Sequence, residues 1–188
     1  MPIIDIQSLS KKYGKTKVID SFSYSFIPGK IYLLTSENGK GKTTLVKIIL
    51  GLVYPSNGKI HIEGSVSYVT DHISFPKEEV IFNFLKVLTK EKTEKINQML
   101  NRYEIEKYKN YKFKTLSKGT LHKVLIISGL ILDRDIYIFD EPLNGLDNLT
   151  RKSFLEDVLE LKRQNKIVII ITHLKSMFIA DDIVEVEL

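Results

Sequence analysis

Ser36-Glu37-Asn38-Gly39-Lys40-Gly41-Lys42-Thr43 is the stretch from which the rest of the chain can be read. A short apolar run, Ile31-Tyr32-Leu33-Leu34, leads into it, and Leu45, Ile48, Ile49 and Leu52 follow at helical spacing. Strand, glycine-bearing loop and helix therefore come in that order. The stretch nearly matches the phosphate-loop pattern G-x-x-x-x-G-K-[ST], with Ser36 in place of the first glycine. Such a loop must turn successive backbone N–H groups, and the start of a helix, toward one phosphate. Gly39 and Gly41 allow the backbone angles and close approach this needs. The pattern makes Ser36, Glu37, Asn38, Gly39, Lys40, Gly41, Lys42, Thr43 and Thr44 candidate nucleotide-binding residues. Within it, Lys42 is placed to reach the β- and γ-phosphates and the Thr43 hydroxyl to coordinate Mg²⁺, with Thr44 near the α-phosphate.

Further along, Ile136-Tyr137-Ile138-Phe139 ends in Asp140-Glu141. Acids at the carboxyl end of a buried parallel strand stand over the same edge as a phosphate loop. Asp140 fits a role in holding Mg²⁺ through water, and Glu141 fits a base that polarises an attacking water. Ile167–Ile171 is a second continuous apolar run, the mark of a strand buried on both faces. Leu149–Lys162 between the two is amphipathic.

The remaining segments complete an α/β domain. Residues 3–34 read as strands, with Phe22, Tyr24 and Phe26 alternating with Ser21, Ser23 and Ser25. Two short strands are predicted over 58–70, with Asn57-Gly58 and Glu63-Gly64 as turn signals. From about 77 to 114 the chain turns charged, with helical spacing in Ile81, Phe84, Leu85 and Leu88 and again in Ile96, Met99 and Leu100. A third helix is expected over 118–132.

Composition sets bounds. The chain has 188 residues, 43% of them hydrophobic, enough for one domain with a core. No cysteine is present, which excludes disulfides and thiolate metal sites. No apolar run of about 18 residues occurs. The N-terminal Met1-Pro2-Ile3-Ile4-Asp5 carries no signal-peptide pattern, so a cytoplasmic location is the expectation. The net charge of +5 comes from lysines spread along most of the chain, which reads as a solvated surface.

These features, with five more in order, resemble the ATP-binding cassette (ABC) ATPases over almost the whole chain, from about Ile3 to Val186. Leu116-Ser117-Lys118-Gly119-Thr120 is similar to the family signature Leu-Ser-Gly-Gly-Gln, with Lys118 and Thr120 as departures. A serine N-cap for the 118–132 helix accounts for Ser117 equally well, and the two readings are compatible. Leu143-Asn144-Gly145-Leu146-Asp147 matches the D-loop, and His173, after Thr172, matches the switch histidine. His61, His72 and His122 have no such setting. Leu9-Ser10-Lys11-Lys12-Tyr13-Gly14 resembles the opening in which an aromatic, here Tyr13, stacks on adenine. Asp71 occupies the place of a glutamine that in the family reaches Mg²⁺ and senses the transporter.

The resemblance implies a P-loop NTPase fold of ABC type: an α/β mixed-sheet core, an N-terminal antiparallel β subdomain and a small helical subdomain at about 77–133, in a single compact domain over 1–188. It implies ATP and Mg²⁺ as ligands, with Glu141, His173 and Lys42 catalytic and Thr43, Asp140 and Asp71 at the metal. Ser117, Lys118 and Gly119 would face the nucleotide held by an opposite subunit. The implied assembly is a head-to-tail homodimer or heterodimer docked on a separate transmembrane permease subunit, at the inner face of the cell membrane. The implied function is the ATP-hydrolysing motor of a transporter.

Three other readings compete. A subunit with weak or no hydrolysis is favoured by Ser36, Asp71, Lys118 and Thr120 and opposed by Lys42, Asp140, Glu141 and His173. A non-transport ABC ATPase would carry two cassettes or long coiled coils, and this chain has neither. Its basic, aromatic stretch Lys107–Lys114 suits a solvated or partner-facing surface better than nucleic acid. A small-molecule kinase is opposed by the signature, the D-loop and the switch histidine.

Overall fold

A computed structural model describes residues 1, 3–36, 41–70, 74–89, 93–178 and 183–188. In chain order its elements are β1 (Ile3–Tyr13), β2 (Thr16–Phe26), β3 (Lys30–Thr35), α1 (Lys42–Ile49), β4 (Asn57–Glu63), β5 (Val66–Thr70), α2 (Ile81–Thr89), α3 (Thr93–Arg102), α4 (Lys118–Leu130), β6 (Ile136–Asp140), α5 (Asn148–Arg163), β7 (Ile167–Ile171) and β8 (Ile183–Glu187). Short 3₁₀ turns lie at Glu106–Tyr108, Phe113–Thr115 and Lys175–Phe178.

Two sheets form. The first is antiparallel, in the order β2-β1-β4, and its β1–β2 hairpin turns through Gly14 at φ 59°. Ser8 and Ser21, both at positive φ, accompany breaks in the register of β1. The second sheet is parallel, in the order β5-β6-β7-β3-β8. Its inner strands β6, β7 and β3 are covered on both faces, so they read as continuous apolar runs. On one face Leu33, Tyr137, Phe139, Val168 and Ile170 pack against apolar side chains of α2, α3, α4 and α5. On the other, Tyr32, Leu34, Ile138, Ile169 and Ile171 pack against α1 and against Ile4, Ile6 and Phe26 of the antiparallel sheet.

The expected mixed α/β architecture is therefore present, with its antiparallel opening and a run of helices between β5 and β6. Ile81 and Leu85 are buried as their spacing predicts, whereas Leu88 on the same helix is 42% exposed. The α4 helix ends at Leu130 rather than at 132. The strand β8 was not predicted: its outward Glu185 alternates with buried Val186, and it closes one end of the sheet beside β3.

Gly129 shows how closely α4 lies on the sheet. A Cβ there would stand 2.1 Å from Val69 Cγ2, while Ser67 Oγ donates to the Gly129 carbonyl at 3.0 Å. Gly129→Ala should cost about 1–3 kcal/mol through overpacking, against the gain that alanine normally brings to a helix. Chemical denaturation would measure it. Adding Val69→Ala should cost less in that background than in the wild type.

Candidate active site

The parallel strands bring Ser36, Asp140, Glu141 and His173 to one edge. β3 runs into the phosphate loop, β6 ends in Asp140 and β7 ends at Ile171, directly before Thr172 and His173. The register sets Asp140 opposite Ile171 on one side and Thr70 on the other. Glu37, Asn38, Gly39, Lys40 and Asp71 lie outside the described residues.

Gly41 is the N-cap of α1, at φ 94°, and among the described residues no side chain caps the helix. A Cβ at Gly41 would meet the Val18 carbonyl oxygen at 2.5 Å and Ile19 Cγ1 at 2.9 Å, so both its angle and its packing require glycine. By contrast, α4 and α5 are capped by their own side chains: Ser117 accepts from the Thr120 N–H and Asp147 from the Thr150 N–H. An uncapped helix start at the carboxyl edge of a sheet suits an anion. The Lys42 ammonium donates to the Ser36 carbonyl at 2.8 Å and to Ser36 Oγ at 3.2 Å, so it reaches back to the residue that follows β3. The departure from glycine at Ser36 thus gives Lys42 a hydroxyl partner. The close packing of Gly41 on β2 puts the β1–β2 hairpin, with Tyr13 at its end, beside this loop. Tyr13 is 49% exposed, and Lys11 Nζ stands 5.0 Å from its ring centre.

Glu141 is held by β7. Its N–H donates to the Ile171 carbonyl at 2.8 Å, and its backbone is left-handed at φ 51°, a region that non-glycine residues rarely occupy. Its Oε2 accepts from Thr172 Oγ1 at 3.2 Å and from the His173 N–H at 3.4 Å, and its Oε1 lies 3.3 Å from His173 Nε2. The base and the switch histidine expected from the sequence are thus in direct contact. Asp140 accepts from the Tyr68 hydroxyl at 3.3 Å. Thr43, exposed in the first turn of α1, and Asp140 are hard oxygen donors of the kind Mg²⁺ takes. Among the described residues no cluster of three or more His, Asp or Glu gathers.

Ser117, Lys118 and Gly119 stand apart. They open α4 beside a cleft of about 780 Å³ lined by Phe75, Lys77, Leu116, Asn144 and Gly145 among others, with none of the described residues of the phosphate loop in its wall. Ser117 and Lys118 are exposed, and a Cβ at Gly119 would meet only ordinary contacts, the nearest at 3.8 Å. His122, unassigned from the sequence, donates from Nε2 to the Pro142 carbonyl at 2.9 Å, and Lys123 pairs with Asp147 at 2.8 Å. Both tie α4 to the loop that follows Glu141. They were invisible in the sequence because each joins residues some 20 positions apart, with no spacing rule between them. Thr172 and Tyr68 were missed for the same reason.

A family model described as ABC transporter matches residues 19–144. The chain is 34% identical over 179 residues to an uncharacterised ABC transporter ATP-binding protein of Methanocaldococcus jannaschii, covering 92% of this chain and 68% of that one. It is 32% identical over 178 residues to the zinc import ATP-binding protein ZnuC of Rickettsia bellii, covering 92% and 76%. It superposes on a solved ATP binding subunit of an ABC transporter with a TM-score of 0.85 at 25% identity, over 93% and 80% of the two chains. The chain belongs to the ABC transporter family, as an ATP-binding subunit with the ATPase and transport-motor role of that class. Among the described residues no helix is long and apolar enough to cross a membrane.

The Asp147 carboxylate caps α5 and pairs with Lys123, and these bonds hold its pKa below the ordinary range, the Lys123 bond most of all. A carboxylate with a depressed folded pKa adds stability above its unfolded pKa and loses it as pH falls. Asp147→Ala should therefore lower stability by about 1 kcal/mol near neutral pH, the usual worth of an N-cap. In thermal melts the gap from wild type should narrow once pH drops below 3.8, the ordinary value.

Proposed function

We propose that the chain hydrolyses ATP at the edge formed by Lys42, Asp140, Glu141 and His173, with Mg²⁺, as half of a dimer docked on a transmembrane permease. One observation carries this reading: Glu141 is bonded to the end of β7 and touches His173, on the sheet edge that also carries the Lys42 loop. The Lys42 ammonium would exchange Ser36 for phosphate oxygens, and the first N–H groups of α1 would receive the same phosphates. Thr43 and Asp140 would hold Mg²⁺, which supplies charge neutralisation on the β- and γ-oxygens when bound. Glu141 accepts a proton as water oxygen bonds to the γ-phosphorus and the bond to the bridging oxygen breaks, leaving ADP and phosphate. His173 contacts the γ-phosphate. Tyr13 stacks on adenine.

The dimer reading rests on the signature. Ser117 and Lys118 are exposed, and nothing among the described residues requires a glycine at 119. A phosphate approaching from a second chain accounts for that glycine. In this head-to-tail arrangement each ATP lies between one phosphate loop and the opposite signature. The helical subdomain at about 77–133, with the apolar Phe75, Phe113, Leu116 and Leu121 along its cleft, would take a helix of the permease. That docking places the chain at the inner face of the membrane, and the permease sets the transported substrate.

A second reading has its own observation. Thr120, in the place of the signature glutamine, engages Ser117 Oγ through both its N–H at 3.1 Å and its hydroxyl at 2.9 Å. This favours a heterodimer in which a sister chain contributes the intact signature. ATP turnover by the purified chain with Mg²⁺, followed against protein concentration, separates the two. A homodimeric motor gives turnover that rises faster than linearly and falls about 100-fold or more in Glu141→Gln. Bound ATP without turnover at any concentration would favour the heterodimer.

A further inference from the structure

We infer that Thr172 is a positioning residue for the base: its buried hydroxyl fixes the orientation of the Glu141 carboxylate against the end of β7. The inference rests on Glu141 being that base.

Thr172 directly follows Ile167–Ile171, all of which are buried, and is itself only 6% exposed. Valine would continue the strand with the same shape. A hydroxyl there costs free energy unless it is hydrogen-bonded. Thr172 Oγ1 has two partners: it accepts from the Leu174 N–H at 3.0 Å and lies 3.2 Å from Glu141 Oε2. An ionised carboxylate has no proton to give, so the hydroxyl must donate to Glu141. The Leu174 N–H polarises that hydroxyl and strengthens its donation.

The geometry then divides the carboxylate. Oε2 is occupied by Thr172 and the His173 N–H, whereas Oε1 faces His173 Nε2. With the Glu141 N–H held by Ile171, main chain and side chain are both anchored on β7, which secures the left-handed backbone at Glu141. A base held in one orientation is worth more in the transition state than in binding, so its loss falls on kcat.

The test compares Thr172→Val, which keeps shape and loses the hydroxyl, with Thr172→Ser, which keeps the hydroxyl, beside Glu141→Gln. Thr172→Val should lower kcat about tenfold, with KM and ATP affinity within about twofold of wild type, and Thr172→Ser should restore kcat. Full turnover in Thr172→Val while Glu141→Gln is inactive would overturn the inference. So would a Thr172→Ser no better than Thr172→Val. Full turnover in Glu141→Gln would instead remove the base assignment on which the inference stands. Crystal structures of wild type and Thr172→Val add a readout independent of turnover: the Glu141 carboxylate should leave its single rotamer in the variant, and an unchanged rotamer would contradict the proposal. If Thr172→Val does not bind ATP, Thr172→Ala takes its place, and loss of binding in both would assign Thr172 to the scaffold and overturn the inference.

Discussion

A parallel sheet has two unlike edges, because every strand ends on the same one. In this chain that constraint brings the end of β3, the Asp140 end of β6 and the Ile171 end of β7 together, although 136 positions separate Thr35 from Ile171. Burial of both faces holds the strands in register, and at about 1.5–3 kcal/mol for each buried large apolar side chain that packing is the main source of rigidity. The register in turn sets Asp140 beside Ile171, which lets Glu141 bond back to β7. Without it the carboxylates and the phosphate loop would have no fixed relation.

Helix starts divide the labour. Ser117 and Asp147 close the starts of α4 and α5 with their own side chains, while among the described residues none closes α1 at Gly41. The glycine is imposed by β2, whose Val18 carbonyl leaves no room for a Cβ. The antiparallel sheet thus shapes the phosphate loop from outside it. On the far side, His122 and Lys123 fasten α4 to the loop after Glu141. The α4 helix and the segment following Glu141 are thereby linked within one chain.

The sequence exposed whatever is local or strongly periodic. The buried runs Ile136–Phe139 and Ile167–Ile171, the glycine-bearing loop between strand and helix, and the acids at a strand end all carry their reason in neighbouring residues. β8 escaped because an edge strand with Glu185 and Glu187 lacks the apolar run of its neighbours. Thr172, Tyr68, His122 and Gly129 escaped because their roles are pairings across the fold, with Glu141, Asp140, Pro142 and Val69. Nothing in a threonine before a histidine, or a tyrosine in a strand, announces the partner. Ser117 was legible as a cap, and its bond to the Thr120 N–H bears that out.

The most direct test of this account is a crystal structure of Glu141→Gln with ATP and Mg²⁺ bound. The account predicts phosphates on the N–H groups at the start of α1, with Lys42 moved from Ser36 onto their oxygens and the ion between Thr43 and Asp140. ATP bound elsewhere, or Lys42 still on Ser36 with the nucleotide in place, would contradict it.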